Sequence, residues 1–277
     1  MGLSTRLHLI TTTKKGIMFM KSVVRWVSVG LLTFCCAAIV QGQTSSATTT
    51  TSTSTSSTAG ANKVAGGTAA SRTDIYHVHF AHAAAGKAAE LGESFKSPAP
   101  GGQQPDHAVV FRHQYGDAWD YCVIAHYGTK FTIEAARAQV PDSQRALSDW
   151  HTDTICNGPS WSDFSRVLGL SDDVKKGSNA VYVVSYYRAG AGQRDAAEKN
   201  LAEPPDPATD KATGQALLQH LEGAAWHFVG IVRYSSWQDM ATSQANSVPK
   251  TGEKSSPWSQ MRDSIALHTD TLCDRIQ

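Results

Sequence analysis

From Ile75 to His82 the chain alternates with a period of two, placing Tyr76, Val78 and Phe80 on one face and His77, His79 and Ala81 on the other, as a β-strand requires. The alternation returns further on, where Tyr182, Val184 and Tyr186 share one face and Val181, Val183 and Ser185 the other. Each strand runs into a helix-compatible segment, Gly86 to Lys96 and Gly192 to Ala202, stopped by Pro98 and by Pro204-Pro205-Asp206-Pro207. Two tightly joined strands follow each helix. In the first case they are Ala108 to Gln114 and Trp119 to Tyr127, turning at Gly116-Asp117; in the second, Gln215 to His220 and Trp226 to Tyr234, turning around Gly223. Hairpins this short fix their own register.

Trp258, Met261, Ile265, His268, Leu272 and Ile276 recur at steps of three and four, which predicts a closing helix with His268 in its apolar stripe. Leu147, His151 and Ile155 show the same spacing after the start signal Pro141-Asp142-Ser143. Both histidines are therefore expected to be at least partly buried, and neither half shows a clear fourth strand. Asn157-Gly158-Pro159 ends the first of these segments, and Trp161 to Leu170 reads as a connector.

These elements repeat in order. Tyr76 to Gly86 matches Tyr182 to Gly192, His113-Gln-Tyr-Gly116-Asp-Ala-Trp119 matches His220-Leu-Glu-Gly223-Ala-Ala-Trp226, and His151-Thr-Asp-Thr-Ile-Cys156 matches His268-Thr-Asp-Thr-Leu-Cys273. Insertions fall only between the blocks, the signature of one supersecondary unit used twice. With this order of strand, helix, hairpin and helix, the chain resembles the dimeric α/β barrel (ferredoxin-like) superfamily, with the duplication inside one polypeptide. The resemblance implies an α+β fold in which two ferredoxin-like β-α-β-β-α units pack sheet to sheet as a pseudo-dimeric barrel. It covers about 200 residues, and it implies no particular reaction, because that superfamily includes monooxygenases that use the cavity alone as well as haem enzymes.

Composition divides the 277 residues further. Lys14, Lys15, Lys21 and Arg25 precede an apolar run from Trp26 to Val40, which reads as a signal peptide over 1–42. The run is short of the roughly 20 residues of a membrane span, and an uncleaved anchor is the alternative and the only expected link to a membrane. Residues 43–70, rich in Thr and Ser, lack the apolar surface needed to offset ordering and read as a disordered linker. The two expected units are 71–170, with the connector, and 171–277. Export to the periplasm or the extracellular space follows. Lys and Arg total 25 against 24 Asp and Glu, so no strong field favours nucleic acid. An oxidising compartment permits a disulfide between the matched residues Cys156 and Cys273, while Cys122 reads as a small buried hydrophobe.

Histidine is the residue with most chemical promise. His77 and His79 leave one strand on the same side, a spacing that suits two ligands of a transition metal or the wall of a pocket, and their counterparts are Val183 and Ser185. The competing reading is that they are solvated or satisfied within the core. His113 and His220 recur beside their turns, where packing on Trp119 and Trp226 suggests a structural role. His151 with Asp153, and His268 with Asp270, read as buried polar packing determinants, since residues two apart on a helix do not face each other. His77, His79, His113, Trp119, Tyr121, His126, His220 and Trp226 are the candidates for a ligand pocket. Motifs of serine hydrolases, phosphate loops, zincins and thiol redox enzymes are missing. The favoured reading is a protein binding a small apolar or aromatic ligand between its sheets. A haem- or metal-dependent oxidoreductase with its site in the first unit is the alternative.

Overall fold

The computed structural model describes residues 71–97, 104–129, 140–170, 179–248, 253 and 256–277. The signal expected over 1–42 and the linker expected over 43–70 lie outside them. Within the described residues the order is β1 (Asp74–Ala83), α1 (Ala88–Ser94), β2 (His107–Tyr115), β3 (Tyr121–Thr129), α2 (Asp142–Arg145), β4 (Ser148–Gly158) and α3 (Trp161–Val167). It continues with β5 (Val181–Ala189), α4 (Arg194–Ala202), β6 (Ala212–Glu222), β7 (Phe228–Tyr234), α5 (Trp237–Ser247), α6 (Pro257–Ser264) and β8 (Ile265–Arg275). All eight strands pair antiparallel in one closed barrel, in the order β1-β3-β2-β8-β5-β7-β6-β4.

The His-Thr-Asp-Thr blocks correct the sequence reading. They are not helices; they are β4 and β8, the fourth strand of each set of four. In the two segments expected as closing helices, helix is confined to the short α2 and to α6, which ends at Ser264. The runs Thr152, Thr154, Cys156 and Thr269, Thr271, Cys273 also fit a period of two, and β-branched residues favour strand. Pairing with distant β1, β5 and β2 decides between the two periods, and that pairing is invisible in a local window.

Alternation sends Tyr76, Val78, Phe80, Phe111, Cys122, Ile124, Cys156, Tyr182, Val184, Leu218, Ile231 and Cys273 into one buried interior. The interior is filled by side chains, as an eight-strand barrel just permits. Cys122, Cys156 and Cys273 are free thiols, so the permitted disulfide is not formed, and burial pushes all three well above the ordinary thiol range. The connector closes one mouth of the barrel: Phe164 packs on Tyr76 with ring centroids 5.1 Å apart, and the Tyr182 hydroxyl donates to the Leu168 carbonyl at 3.2 Å.

Because neighbours around the ring run in opposite directions, β2 and β6 run the same way and both hairpin turns fall at the other mouth. Each turn docks on the last strand of the other set. The amide of Asp117 donates to Thr271 Oγ1 at 3.2 Å, and that of Ala224 donates to Thr154 Oγ1 at 3.3 Å. The adjoining glycines have φ of 141° and 120°, and a Cβ on Gly116 would stand 2.4 Å from the Asp270 carbonyl oxygen, one on Gly223 2.3 Å from that of Asp153. Backbone conformation and space both exclude a side chain there. Gly223→Ala is therefore expected to lower unfolding free energy by about 3 kcal/mol, from left-handed strain plus backbone overlap, in denaturant titration.

Candidate functional site

The open mouth holds a cleft of about 400 Å³ lined by His82, Asp117, Ala118, Trp119, Trp150 and Tyr186. Three of these continue the inward rows of their strands. His82 follows Tyr76, Val78 and Phe80; Tyr186 follows Tyr182 and Val184; and Trp150 lies opposite His82 in the β1–β4 register. Asp117, Ala118 and Trp119 come from the turn between β2 and β3. Trp119 is buried on Phe80 at 5.1 Å, whereas Trp150 is half exposed, so one indole forms the floor and the other a wall facing water.

Polar groups ring this aromatic surface. The Tyr186 hydroxyl donates to Asp117 Oδ2 at 2.5 Å; its pKa is raised, first by burial and then by that carboxylate. His82 Nδ1 lies 2.6 Å from Asp149 Oδ1, and its Nε2 lies 3.8 Å from Asp120 Oδ2. The hydrogen bond to Asp149 is the main cause that raises the His82 pKa, with both carboxylates adding to it.

The histidines expected from the sequence are dispersed. His77 and His79 leave the outer wall of the barrel, away from the cleft. Their Nε2 and Nδ1 lie 2.8 and 2.7 Å from the same oxygen, Asp153 Oδ1. Partial burial opposes charge on Asp153, but these two hydrogen bonds outweigh it and hold the carboxyl well below the usual range. On a strand residues two apart share a face, so His151 reaches the same carboxylate, Nε2 to Oδ2 3.5 Å, and is exposed, not buried. The matched His268 is half-buried, its Nε2 3.6 Å from Asp270 Oδ2 and its ring stacked on Tyr187, while Asp270 is exposed and accepts from Ser185 Oγ at 2.6 Å. The expectation that Asp153 and Asp270 are buried is likewise corrected, for both point outward.

His113 and His220 point into the barrel against Trp119 and Trp226, with ring centroids 6.0 and 5.6 Å apart. Their Nε2 atoms are buried with no hydrogen-bond partner among the described residues. Tyr121 lies on the outer wall, its hydroxyl donating to the Ala88 carbonyl at 2.7 Å. His126 sits at the closed mouth, Nε2 2.8 Å from Asp74 Oδ2. Burial opposes charge on Asp74, yet bonds from Thr73, His126 and the Trp161 amide leave its pKa lowered. Of the eight pocket candidates only Trp119 lines the cleft. Tyr186 already stood in its inward row and His82 was within reach by extending the Tyr76, Val78 and Phe80 row by one step, whereas Trp150 was hidden by the helical reading of β4.

No protein-family model matches this chain, and no curated protein matches it. Among solved structures it is similar to an anthrone oxidase-like protein, with a TM-score of 0.52 at 12% identity over 74% of this chain and 92% of that one. A candidate monooxygenase from Lactobacillus acidophilus NCFM gives 0.44 at 10% identity, over 74% of this chain and 95% of that one. Another from Fusobacterium nucleatum gives 0.45 at 8% identity, over 75% and 94%. The first likeness supports the fold alone, an α+β barrel.

Because the His82 pKa is raised, its pair with Asp149 favours the folded state fully below the unfolded histidine pKa of about 6.5, and that contribution is lost as pH rises through the folded value. The stability cost of Asp149→Asn should accordingly be measurable at pH 5.5 and vanish by about pH 9. In the imidazole NMR titration of this variant, the His82 midpoint should fall.

Proposed function

We propose that this chain is an exported ligand-binding barrel that holds a small planar aromatic compound in the cleft at its open mouth. The observation that carries the reading is the composition of that cleft: two indoles and a phenol around about 400 Å³, with Asp117, His82 and Asp149 at its edge. A planar ring can stack on the half-exposed Trp150, and its hydroxyl or carbonyl can meet Tyr186 or His82. Such a mixture of apolar lining and few polar groups is typical of small-molecule sites. Anthrone, for which the anthrone oxidase-like structural neighbour is named, is a compound of this class.

The barrel is read as two copies of one β-α-β-β-α-β unit, descended from a duplication and sharing one interior. Support comes from the ring order, in which β4-β1-β3-β2 and β8-β5-β7-β6 are the same arrangement, and from the reciprocal docking of the two hairpins. Export rests on the basic and apolar N-terminal sequence alone.

The His82–Asp149 pair favours a second reading, in which the chain is a monooxygenase-like enzyme. An imidazole oriented by a carboxylate at the rim of an aromatic cleft can take the proton of a phenolic hydroxyl and stabilise the resulting anion nearby. Binding and turnover are separable by experiment. Anthrone, added to the purified chain, should quench tryptophan fluorescence saturably, and Trp150→Ala should weaken binding about tenfold with the unfolding midpoint unchanged. Dioxygen uptake with anthrone that disappears in His82→Ala would select the enzyme; saturable binding without uptake selects the binding protein. Quenching that fails to saturate, or that Trp150→Ala leaves untouched, rules out both.

A further inference from the structure

We propose that the outer wall of β1 and β4 is a binding site for one divalent first-row transition-metal ion, held by His77 Nε2, His79 Nδ1 and a carboxylate oxygen of Asp153. His151 Nε2, 3.5 Å from the second oxygen of Asp153, is the available fourth donor. The three principal donor atoms lie within 4.8 Å of one another. His79 stands directly opposite Asp153 in the strand register, and His77 and His151 take the two diagonal places, so all four side chains leave the same side of two hydrogen-bonded strands.

The spacing is close to that of a coordination shell. Bonds of 2.0–2.1 Å around a tetrahedral ion set donor atoms roughly 3.3 Å apart. The two imidazole nitrogens are 2.8 and 2.7 Å from the Asp153 oxygen, so each contact needs to open by only about half an ångström as a ring proton is released. Phe95 packs edge-on against the His79 ring at 5.5 Å and holds its orientation. Two imidazoles and a carboxylate suit zinc, cobalt, nickel or iron(II), whereas magnesium and calcium prefer an all-oxygen set.

The other half of the barrel provides a contrast within the same chain. There Val183 and Ser185 stand where His77 and His79 do, and Asp270 accepts from the Ser185 hydroxyl at 2.6 Å with the single imidazole of His268 3.6 Å away. A carboxylate at this point of the wall is therefore held with one hydroxyl and one imidazole beside it. Gathering three imidazoles around Asp153 exceeds that set, and each ring brings a nitrogen lone pair. The site faces away from the aromatic cleft, since His77 and His79 alternate with Val78 and Phe80; an ion here fastens β1 to β4 and leaves the mouth clear.

Titration of the untagged 277-residue chain with Co²⁺, read from its visible absorption and by competition with a chromogenic chelator, should show one tight site per chain. His79→Ala and Asp153→Asn should each weaken it by about 100-fold or more, since even outer partners of metal ligands are worth 10–100-fold. His77→Gln separates loss of a ligand from loss of the fold: it should weaken Co²⁺ binding while the unfolding midpoint of the metal-free chain stays unchanged. His268→Ala, at the matching place in the other half, should bind as the natural chain does. The absence of saturable uptake, or equal Co²⁺ affinity in the natural chain, His77→Gln and Asp153→Asn, would overturn the site.

Discussion

Closure of the eight-strand ring is the constraint from which the rest of this structure follows, because it obliges alternate residues of every strand to share one enclosed interior. The ring has two seams where the first four strands meet the last four, β2 with β8 and β4 with β6. Across both, a hairpin from one half lays its turn on the final strand of the other, through a threonine hydroxyl and a glycine with no room for a side chain. The repeated Thr and Gly positions thus serve one purpose. They let two half-barrels, neither of which can bury its apolar face alone, complete each other's hydrogen bonding and packing.

That geometry sorts the chemistry of a single strand onto two sides. Even-numbered residues of β1 build the core and end in His82 at the cleft; odd-numbered ones present His77 and His79 to the outer wall. Groups three and five residues apart in sequence, His79 and His77 against His82, therefore belong to unrelated environments. Carboxylates decide what each imidazole can do: Asp149 raises the proton affinity of His82, while Asp153, ionised by its contacts, anchors two rings at once.

Much of the architecture was legible in the sequence. The period-two rows beginning at Tyr76 and Tyr182, the glycine-marked turns at Gly116 and Gly223, and the three matched blocks gave the elements and their order. The exception was His-Thr-Asp-Thr, where Leu147, His151 and Ile155 mimic a helical stripe by coincidence of spacing. Only pairing with strands about 75 residues away reveals the alternation. The same error concealed the outer site, since on a helix Asp153 could not join His151, and on a strand it must share its face. The cleft was partly hidden for a different reason: Trp150, Asp117 and Tyr186 come from three separate elements and meet only once the ring is closed.

The three interior thiols give the barrel a built-in chronometer. Cys273 lies at the β2–β8 seam opposite His113, and Cys156 at the β4–β6 seam opposite His220, while Cys122 is deep in the first half between Phe80 and Phe111. Protonated and shielded from solvent, none can react with an alkylating dye until the staves around it part. The sequence in which the dye claims them would therefore record which joint of the cask breathes first.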